Sequence, residues 1–328
     1  MASAPLSAWV ISDGRRGIEN QALGLAEALA RLTPLNITRK SVGSDPSFTA
    51  LPPRLQYLRH AKPVKYGLTA PFPDIAIGCG RQAIAPLKVI KAQNPKTFIV
   101  YVQDPRGHYG LFDLIIAPQH DGLKRPNTVS MIGSPNRITT AKLQDAKHAF
   151  KSKLSNYKSP HAAMLIGGRS KTQFIDDLHL RHHIATAHKL MKAGYSLLIT
   201  LSRRTDDVSR KTWTKFSRDY SDKIWFYDEE AMGAEPNPYF AFLAASDIIF
   251  VTQDSTNMLT EAYATTAPVY RLDMAGHTGK FQKLYAELDG FRDTPPLSET
   301  LKIPKASYKP LHETDRVAAH LWDAFSQF

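Results

Sequence analysis

The segment Ser246–Pro268 reads SDIIFVTQDSTNMLTEAYATTAP. Its continuous apolar run Ile248–Val251 has the character of a strand buried on both faces. Gln253-Asp254-Ser255 then makes a turn, and Ser255 is a good N-cap for a helix over Ser255–Thr265. The first turn of a helix leaves backbone N–H groups unpaired and carries the positive end of the macrodipole, and a phosphate satisfies both. Ser255 and Thr256 add hydroxyl donors. Asn257 and Glu261 are four residues apart and share one helix face. A carboxylate there can accept two hydrogen bonds from the vicinal hydroxyls of a ribose. An ordinary capped helix with a solvated Glu is the plainer alternative.

Other polar turns follow apolar runs in the same way. Gly167-Gly168-Arg169-Ser170 combines glycines, which let a backbone approach a ligand, with an arginine able to grip a phosphate through two bonds. It is neither a Rossmann GxGxxG nor a P-loop, and a plain tight turn competes with the binding role. Ser202-Arg203-Arg204-Thr205 offers two arginines suited to a diphosphate. Asp13-Gly14-Arg15-Arg16-Gly17 fits an anionic acceptor or a donor phosphate. Asp13 or Glu19 is a candidate general base if its surroundings raise its pKa; charge compensation at a helix N-terminus is the competing role for Glu19. Asp104-Pro105-Arg106 and His120-Asp121 complete the set, with His120 a third candidate base. His179 and His183 stand four apart but have no nearby third ligand in sequence, so no metal is expected. No HExxH and no Asp-x-Asp motif occurs.

These turns need strands to end on and helices to begin. Strands are expected at Trp9–Ser12, Asp74–Ile77, Thr97–Val102, Leu114–Ala117, Thr128–Ile132, His161–Ile166, Tyr195–Leu201, Lys223–Tyr227, Asp247–Thr252 and Pro268–Leu272. Helices are expected behind Gly17, where Ile18, Ala22, Leu25, Leu29 and Leu32 recur at spacings of four and three, and at Gln82–Lys91, Phe174–Ala193, Pro238–Ala245 and Gly279–Leu288. A last helix, Glu313–Phe328, puts Val317, Leu321, Phe325 and Phe328 on one side. Residues 41–72 read as a proline-rich connection with one short helix near Arg54–His60.

The alternation predicts parallel sheets with right-handed crossovers. Polar KSKLSNYKSP at 151–160 reads as a linker. The expected class is therefore α/β, with two doubly wound, Rossmann-like domains at 1–155 and 156–312 facing across a cleft. The helix at 313–328 is expected to pack back toward the first. Ligands in such sheets bind beyond the carboxyl ends of the strands, where every turn above sits.

The whole chain agrees with this division. Its 328 residues exceed one comfortable core. The N-terminus lacks the basic start and apolar stretch of a signal peptide, no apolar run is long enough to span a bilayer, and the single cysteine, Cys79, fits a reducing cytoplasm. The net charge of +12 suits an anionic substrate or an anionic membrane face. No nucleic-acid module is present and no nucleic-acid partner is expected.

The stretches SDGRRGIENQALGLAEAL, PDIAIGCGRQ, QDPR, FDLIIAPQHD, LIGGRS, LSRRT, NPYFAFLAASDIIFVTQDSTNMLTEAYATTAPVY, GKFQKLYAELDGFR and ETDRVAAHLWDAF occur in order, nearly end to end. As a set they resemble the mitochondrial-fission Elm-type family, whose bacterial members look like GT-B glycosyltransferases. In plants that family is known for a fission factor on the mitochondrial outer membrane. The wider resemblance is to the lipid-linked GlcNAc transferase of peptidoglycan synthesis. That enzyme holds the ribose of UDP with a helical Glu followed by Gly-x-Pro; Glu261 and Thr266-Ala267-Pro268 stand in those places, with Thr for Gly. Its N-domain glycine-rich loop ends in His, whereas Gly14–Gly17 here is followed by Ile18.

The resemblance implies sugar transfer from a nucleotide-diphosphate sugar, UDP type favoured, to an envelope or lipid-linked acceptor, with no metal and no further cofactor. Gly168, Arg203 or Arg204, Ser255, Thr256 and Glu261 would hold the donor. Asp13 to Gly17 and Asp104 to Arg106 would hold the acceptor. The expected location is cytoplasmic, peripheral on the inner membrane. Two other readings stand beside it: a non-catalytic binding or scaffold protein at a membrane surface, and a nucleotide-sugar epimerase on the same fold.

Overall fold

A computed structural model describes residues 4–42, 67–296 and 307–328. The expected helix near Arg54–His60 lies outside them. The chain divides into two compact units, one made of Met1–Arg137 and His312–Phe328, the other of Ile138–Leu311.

In the first unit β1 (Leu6–Ser12), α1 (Arg16–Leu29), β2 (Leu35–Ser41), β3 (Ile75–Cys79), α2 (Ile84–Gln93), β4 (Phe98–Val102), β5 (Leu114–Pro118) and β6 (Thr128–Met131) follow in turn. Among the described residues the sheet order is β2-β1-β3-β4-β5-β6, every pair parallel. Side chains alternate across it, as a strand requires. Ala8 and Val10 face a core with Ala22, Leu25 and Leu29 of α1, while Trp9 and Ile11 face another with Leu87 and Ile90 of α2.

The second unit begins with α3 (Thr140–Ala149) and α4 (Lys151–Leu154). It continues through β7 (His161–Ile166), β8 (Gln173–Phe174), α5 (Asp177–Lys192), β9 (Ser196–Leu201), α6 (Asp207–Asp219), β10 (Ile224–Asp228) and α7 (Glu229–Met232). It then runs through α8 (Tyr239–Ala245), β11 (Ile248–Thr252), α9 (Thr256–Tyr263), β12 (Val269–Leu272), β13 (Ala275–Gly276) and α10 (Phe281–Phe291). Its main sheet runs β10-β9-β7-β11-β12, again parallel throughout. β8 and β13 form a small antiparallel pair. The final helix, α11 (Glu313–Ser326), returns to the first unit and buries Val317, Ala318 and Leu321 against its core. Its Glu313 and Thr314 accept hydrogen bonds from the N–H groups of Ile132 and Asn136.

Each main sheet builds outward from its first strand in one direction and then crosses to that strand's other side, so each has a switch point. In the first unit it lies between β1 and β3, in the second between β7 and β11.

Several elements differ from expectation. The division falls at Arg137/Ile138 rather than near 155, because the polar stretch expected to be a linker contains α4, whose Leu154 is buried with Trp225 and Phe242. β2 is an additional edge strand, its outward residues polar. α6 is an additional helix, capped by Asp206 and anchored by Trp213 and Phe216. Phe174, expected to open α5, lies instead in the short strand Gln173–Phe174, and the helix begins at Asp177. Leu32 lies past the end of α1 and is exposed, and Phe328 lies past the end of α11 and is exposed.

Candidate functional site

The turn after β11 is the best-organised polar cluster of the second unit. Asp254 is 3% exposed, and its carboxylate accepts hydrogen bonds from Thr252 Oγ1 (2.7 Å), the Gly168 N–H (3.3 Å) and Arg204 Nη2 (2.6 Å). These donors come from the ends of β11, β7 and β9, so one carboxylate ties three strand ends together. Burial pushes the Asp254 carboxyl above its ordinary value, while Arg204, Thr252 and Gly168 pull the other way.

The glycines serve this packing. A β-carbon on Gly167 would overlap the Asp254 carboxylate, and one on Gly168 would overlap the carbonyl oxygen of Arg204. The close approach that Gly-Gly permits is thus made by the protein's own chain. Thr205 locks the same corner, donating to the Gly167 carbonyl at 2.6 Å. Ser202 is spent on its own turn, its hydroxyl accepting from the Arg204 N–H at 3.1 Å.

Arg204 nevertheless remains open to solvent: its side chain is 43% exposed while its partner is fully covered. A guanidinium has five donors, and the bond to Asp254 uses one of them. The remainder lie at the switch point that also carries the start of α9. There Ser255 caps the helix by accepting from the Met258 N–H at 3.4 Å. Thr256 and Asn257 are half-buried. One turn on, Glu261 is 7% exposed and accepts from the Tyr239 hydroxyl at 2.7 Å. Arg203 is exposed. Arg169 lies over the Phe174 ring at 5.2 Å and lines a separate cavity of about 170 Å³ with Asp176, Asp206 and Val208.

The far end of α9 is held by Arg292, which is 3% exposed. It donates to the carbonyls of Tyr263, Thr265, Ala267 and Lys309 at 2.8–2.9 Å. Burial lowers its pKa from the ordinary value. Sequence reasoning missed Arg292, Thr252 and Tyr239. An apolar strand ending in Thr and an uncharged NPY before a helix were the available signals.

The first unit gathers its candidates at the ends of β1 and β4. Asp13 accepts from the backbone and guanidinium of Arg15, the latter at 2.7–2.8 Å. Glu19 is held by Arg39 of β2 at 2.6–2.7 Å. Gly14 takes a left-handed φ of 78° between strand and helix, and Arg16 and Gly17 are exposed at the start of α1. Asp104 accepts from the Arg106 N–H (2.8 Å) and the Tyr109 hydroxyl (3.2 Å). In this loop Gln103, Arg106 and His108 all have positive φ, a concentration of strain for non-glycine residues. Beneath it Gln21 accepts from Gln103 Nε2 at 3.1 Å and donates to the Gly17 carbonyl at 3.1 Å, joining the two loops.

His120 is buried, its side chain 2% exposed, with Asp121 at 3.9 Å. That burial removes the open face an accepting base needs. His183 is buried with Nε2 on the Asp273 carbonyl, and His179 bonds Asp176, so the pair is not poised for a metal. Among the described residues no group of three His, Cys, Asp or Glu side chains could hold one. Cys79 is buried, and desolvation raises its thiol pKa far above the ordinary value.

Two doubly wound parallel sheets, each with polar turns at its switch point, make a GT-B-like fold. Solved structures with the same fold include the UDP-GlcNAc 2-epimerase of Methanocaldococcus jannaschii in complex with UDP-GlcNAc and UDP (TM-score 0.51, 14% identity, 98% of this chain and 100% of that one). Others are S. aureus MnaA with UDP (0.52, 15%, 98% of each chain) and the Neisseria meningitidis UDP-GlcNAc 2-epimerase bound to UDP-GlcNAc (0.52, 10%, 99% and 100%).

The chain belongs to the mitochondrial fission ELM1 family, whose pattern it matches over residues 16–325. It is similar to the mitochondrial fission protein ELM1 of Arabidopsis thaliana, with 29% identity over 285 residues. That match covers 76% of this chain and 63% of the longer plant protein. It is also similar to a protein of Rickettsia prowazekii, strain Madrid E, with 25% identity over 354 residues covering 95% of this chain and 97% of that one. Among the described residues no helix is long and apolar enough to cross a membrane.

Proposed function

We propose that the second unit binds the nucleotide diphosphate of a nucleotide sugar, UDP type favoured, and that the protein is a GT-B-type glycosyltransferase working without a metal. The observation that carries this reading is the Arg204–Asp254 pair. A buried carboxylate fixes a guanidinium whose other donors are open, at a switch point, beside a helix N-terminus. Diphosphate oxygens there gain charge-assisted hydrogen bonds from Arg204 and backbone donors from the first turn of α9. Glu261 takes the ribose. The UDP-bound neighbours of the same fold support this choice of nucleotide. The exposed arginines at the strand ends of the first unit suit an anionic, lipid-linked acceptor, and the net charge of +12 suits work at an anionic membrane face. In transfer, an acceptor hydroxyl loses its proton to a base and attacks the anomeric carbon. The bond to the diphosphate breaks, and Arg204 and the helix N-terminus receive its charge.

A second reading, a non-catalytic binding protein at a membrane surface, draws on the first unit. There Asp13 and Glu19 are each engaged by an arginine and His120 is buried. Thermal shifts with UDP, GDP, CMP and ADP, followed by donor hydrolysis with the best binder, separate the two. Stabilisation by a uridine nucleotide with turnover supports the transferase. Binding with no turnover, even with membrane extract as acceptor, supports the second reading. No shift with any nucleotide sinks the nucleotide site itself.

A further inference from the structure

A cluster of uncommitted side chains lies on the outer side of α5 and α6. Among the described residues five large apolar side chains are exposed, and three of them, Phe174, Leu178 and Val208, stand at the starts of these two helices. Val208 lines both the cavity beside Arg169 and a second, more open trough of about 330 Å³, which runs between the helices past Leu180, Ile184 and Thr212. Single exposed apolar residues are ordinary, but a cluster around a hollow marks a docking surface. The charges around it repeat. After its capping aspartate α5 begins Asp177-Leu178 and α6 begins Asp207-Val208, and one turn on stand Arg181 and Lys211. Each helix thus shows acid, aliphatic and base in the same order, with acid and base four apart on one face. All four charged side chains are exposed, and among the described residues none enters an ion pair. By contrast, Arg15, Arg39, Arg204, Arg210 and Arg271 are each held by a carboxylate.

We propose that this face of α5 and α6 joins two copies of the chain in an antiparallel, two-fold dimer. A two-fold interface uses the same patch on both copies, so the patch must be complementary to itself. This one is complementary when turned end for end. The acidic helix starts of one copy then face Arg181 and Lys211 of the other, and each Val208 meets the other copy's trough. A parallel approach sets carboxylate against carboxylate and is disfavoured. Charge therefore fixes the direction, and burial of the apolar groups supplies the affinity. Asp177 and Asp207 also speak against an anionic bilayer as the occupant, because its surface repels them. The proposal is independent of the nucleotide reading.

The test is sedimentation velocity of the full chain over a concentration series. The wild type is expected to be a dimer at about 10 μM. Val208→Glu puts an unpaired carboxylate into the interface and should raise the dimer dissociation constant about tenfold or more. Leu178→Glu is the second arm; both positions are exposed, so circular dichroism should show the fold intact. Direction is read from charge. The double variant Asp177→Lys with Asp207→Lys, and the double variant Arg181→Asp with Lys211→Asp, should each be monomeric alone and should pair when mixed. A wild type that stays monomeric up to about 100 μM overturns the proposal. So does a dimer that both glutamate variants leave unchanged, since its interface then lies elsewhere. Charge variants that dimerise alone, or fail to pair when mixed, overturn the antiparallel arrangement. A monomeric wild type that floats with phosphatidylglycerol vesicles, and no longer does so as Val208→Glu, overturns the proposal in favour of a membrane.

Discussion

At residue scale, the second unit's site is a set of close approaches that allow little change. Gly168→Ala would place a methyl group on the Arg204 carbonyl and push against the Thr205 N–H. Backbone is the obstacle, so no rotamer relieves it. The expected cost is about 1–3 kcal/mol in urea unfolding, with loss of nucleotide stabilisation. An unchanged midpoint would show that the 204–205 corner yields. Arg292→Met keeps the bulk of a long side chain but takes the guanidinium donor from the carbonyls of Thr265, Ala267 and Lys309 and leaves that of Tyr263 with the Leu311 N–H alone. Unpaired buried acceptors make this worse than simple truncation, on the order of 3 kcal/mol. Arg292→Lys restores one point of contact and should recover only part of it. Full recovery would show that the charge, not the fork, matters.

At element scale, α11 is fastened to the first unit by Glu313 as well as by its apolar face. Desolvation pushes the Glu313 carboxyl up, but the bonds from Arg316 and the Ile132 N–H outweigh it and hold it below its ordinary value of 4.5. A carboxylate depressed in the folded state stabilises fully above that value and loses its contribution as pH falls through the lowered folded one. The difference in stability between wild type and Glu313→Gln should therefore shrink on acidification below about pH 4.5. A difference that holds constant there would remove Glu313 from the anchoring.

Legibility also follows the elements. Strands such as Ile75–Cys79 and Ile248–Thr252 are buried along their whole length and announce themselves as apolar runs. β2 carries Arg39 and Lys40 on an edge and looks like loop. α6 has Trp213 and Phe216 among mostly polar neighbours, so its face is set by few residues. In the candidate site, Ser255 was legible as an N-cap and Gly167-Gly168 as a close approach because both features are local, although the chain itself, not a ligand, makes that approach. Tyr239 and Arg292 were not, because their partners lie 22 and 17–29 residues away and only folding brings them near.

At the scale of the whole molecule, the two units have separate apolar cores. One is centred on Val10, Ile77 and Val100, the other on Met164, Ile199 and Phe250. Calorimetry should resolve two transitions, and UDP should raise the one belonging to residues 138–311 alone. A single transition that moves as a whole would refute their independence. The net charge of +12 keeps the folded chain away from neutrality and favours solubility.

The return of α11 has a consequence for biogenesis. Residues 138–311 leave the ribosome as one uninterrupted piece and can fold as soon as they emerge. The first unit, although synthesised earlier, must wait for Val317, Ala318 and Leu321 to cover Leu25 and Leu29. Until then the flank of α1 and the part of that face beside β5 and β6 lack their apolar cover. The half of the molecule translated first is thus completed last, and it is the half that chaperones have most reason to hold.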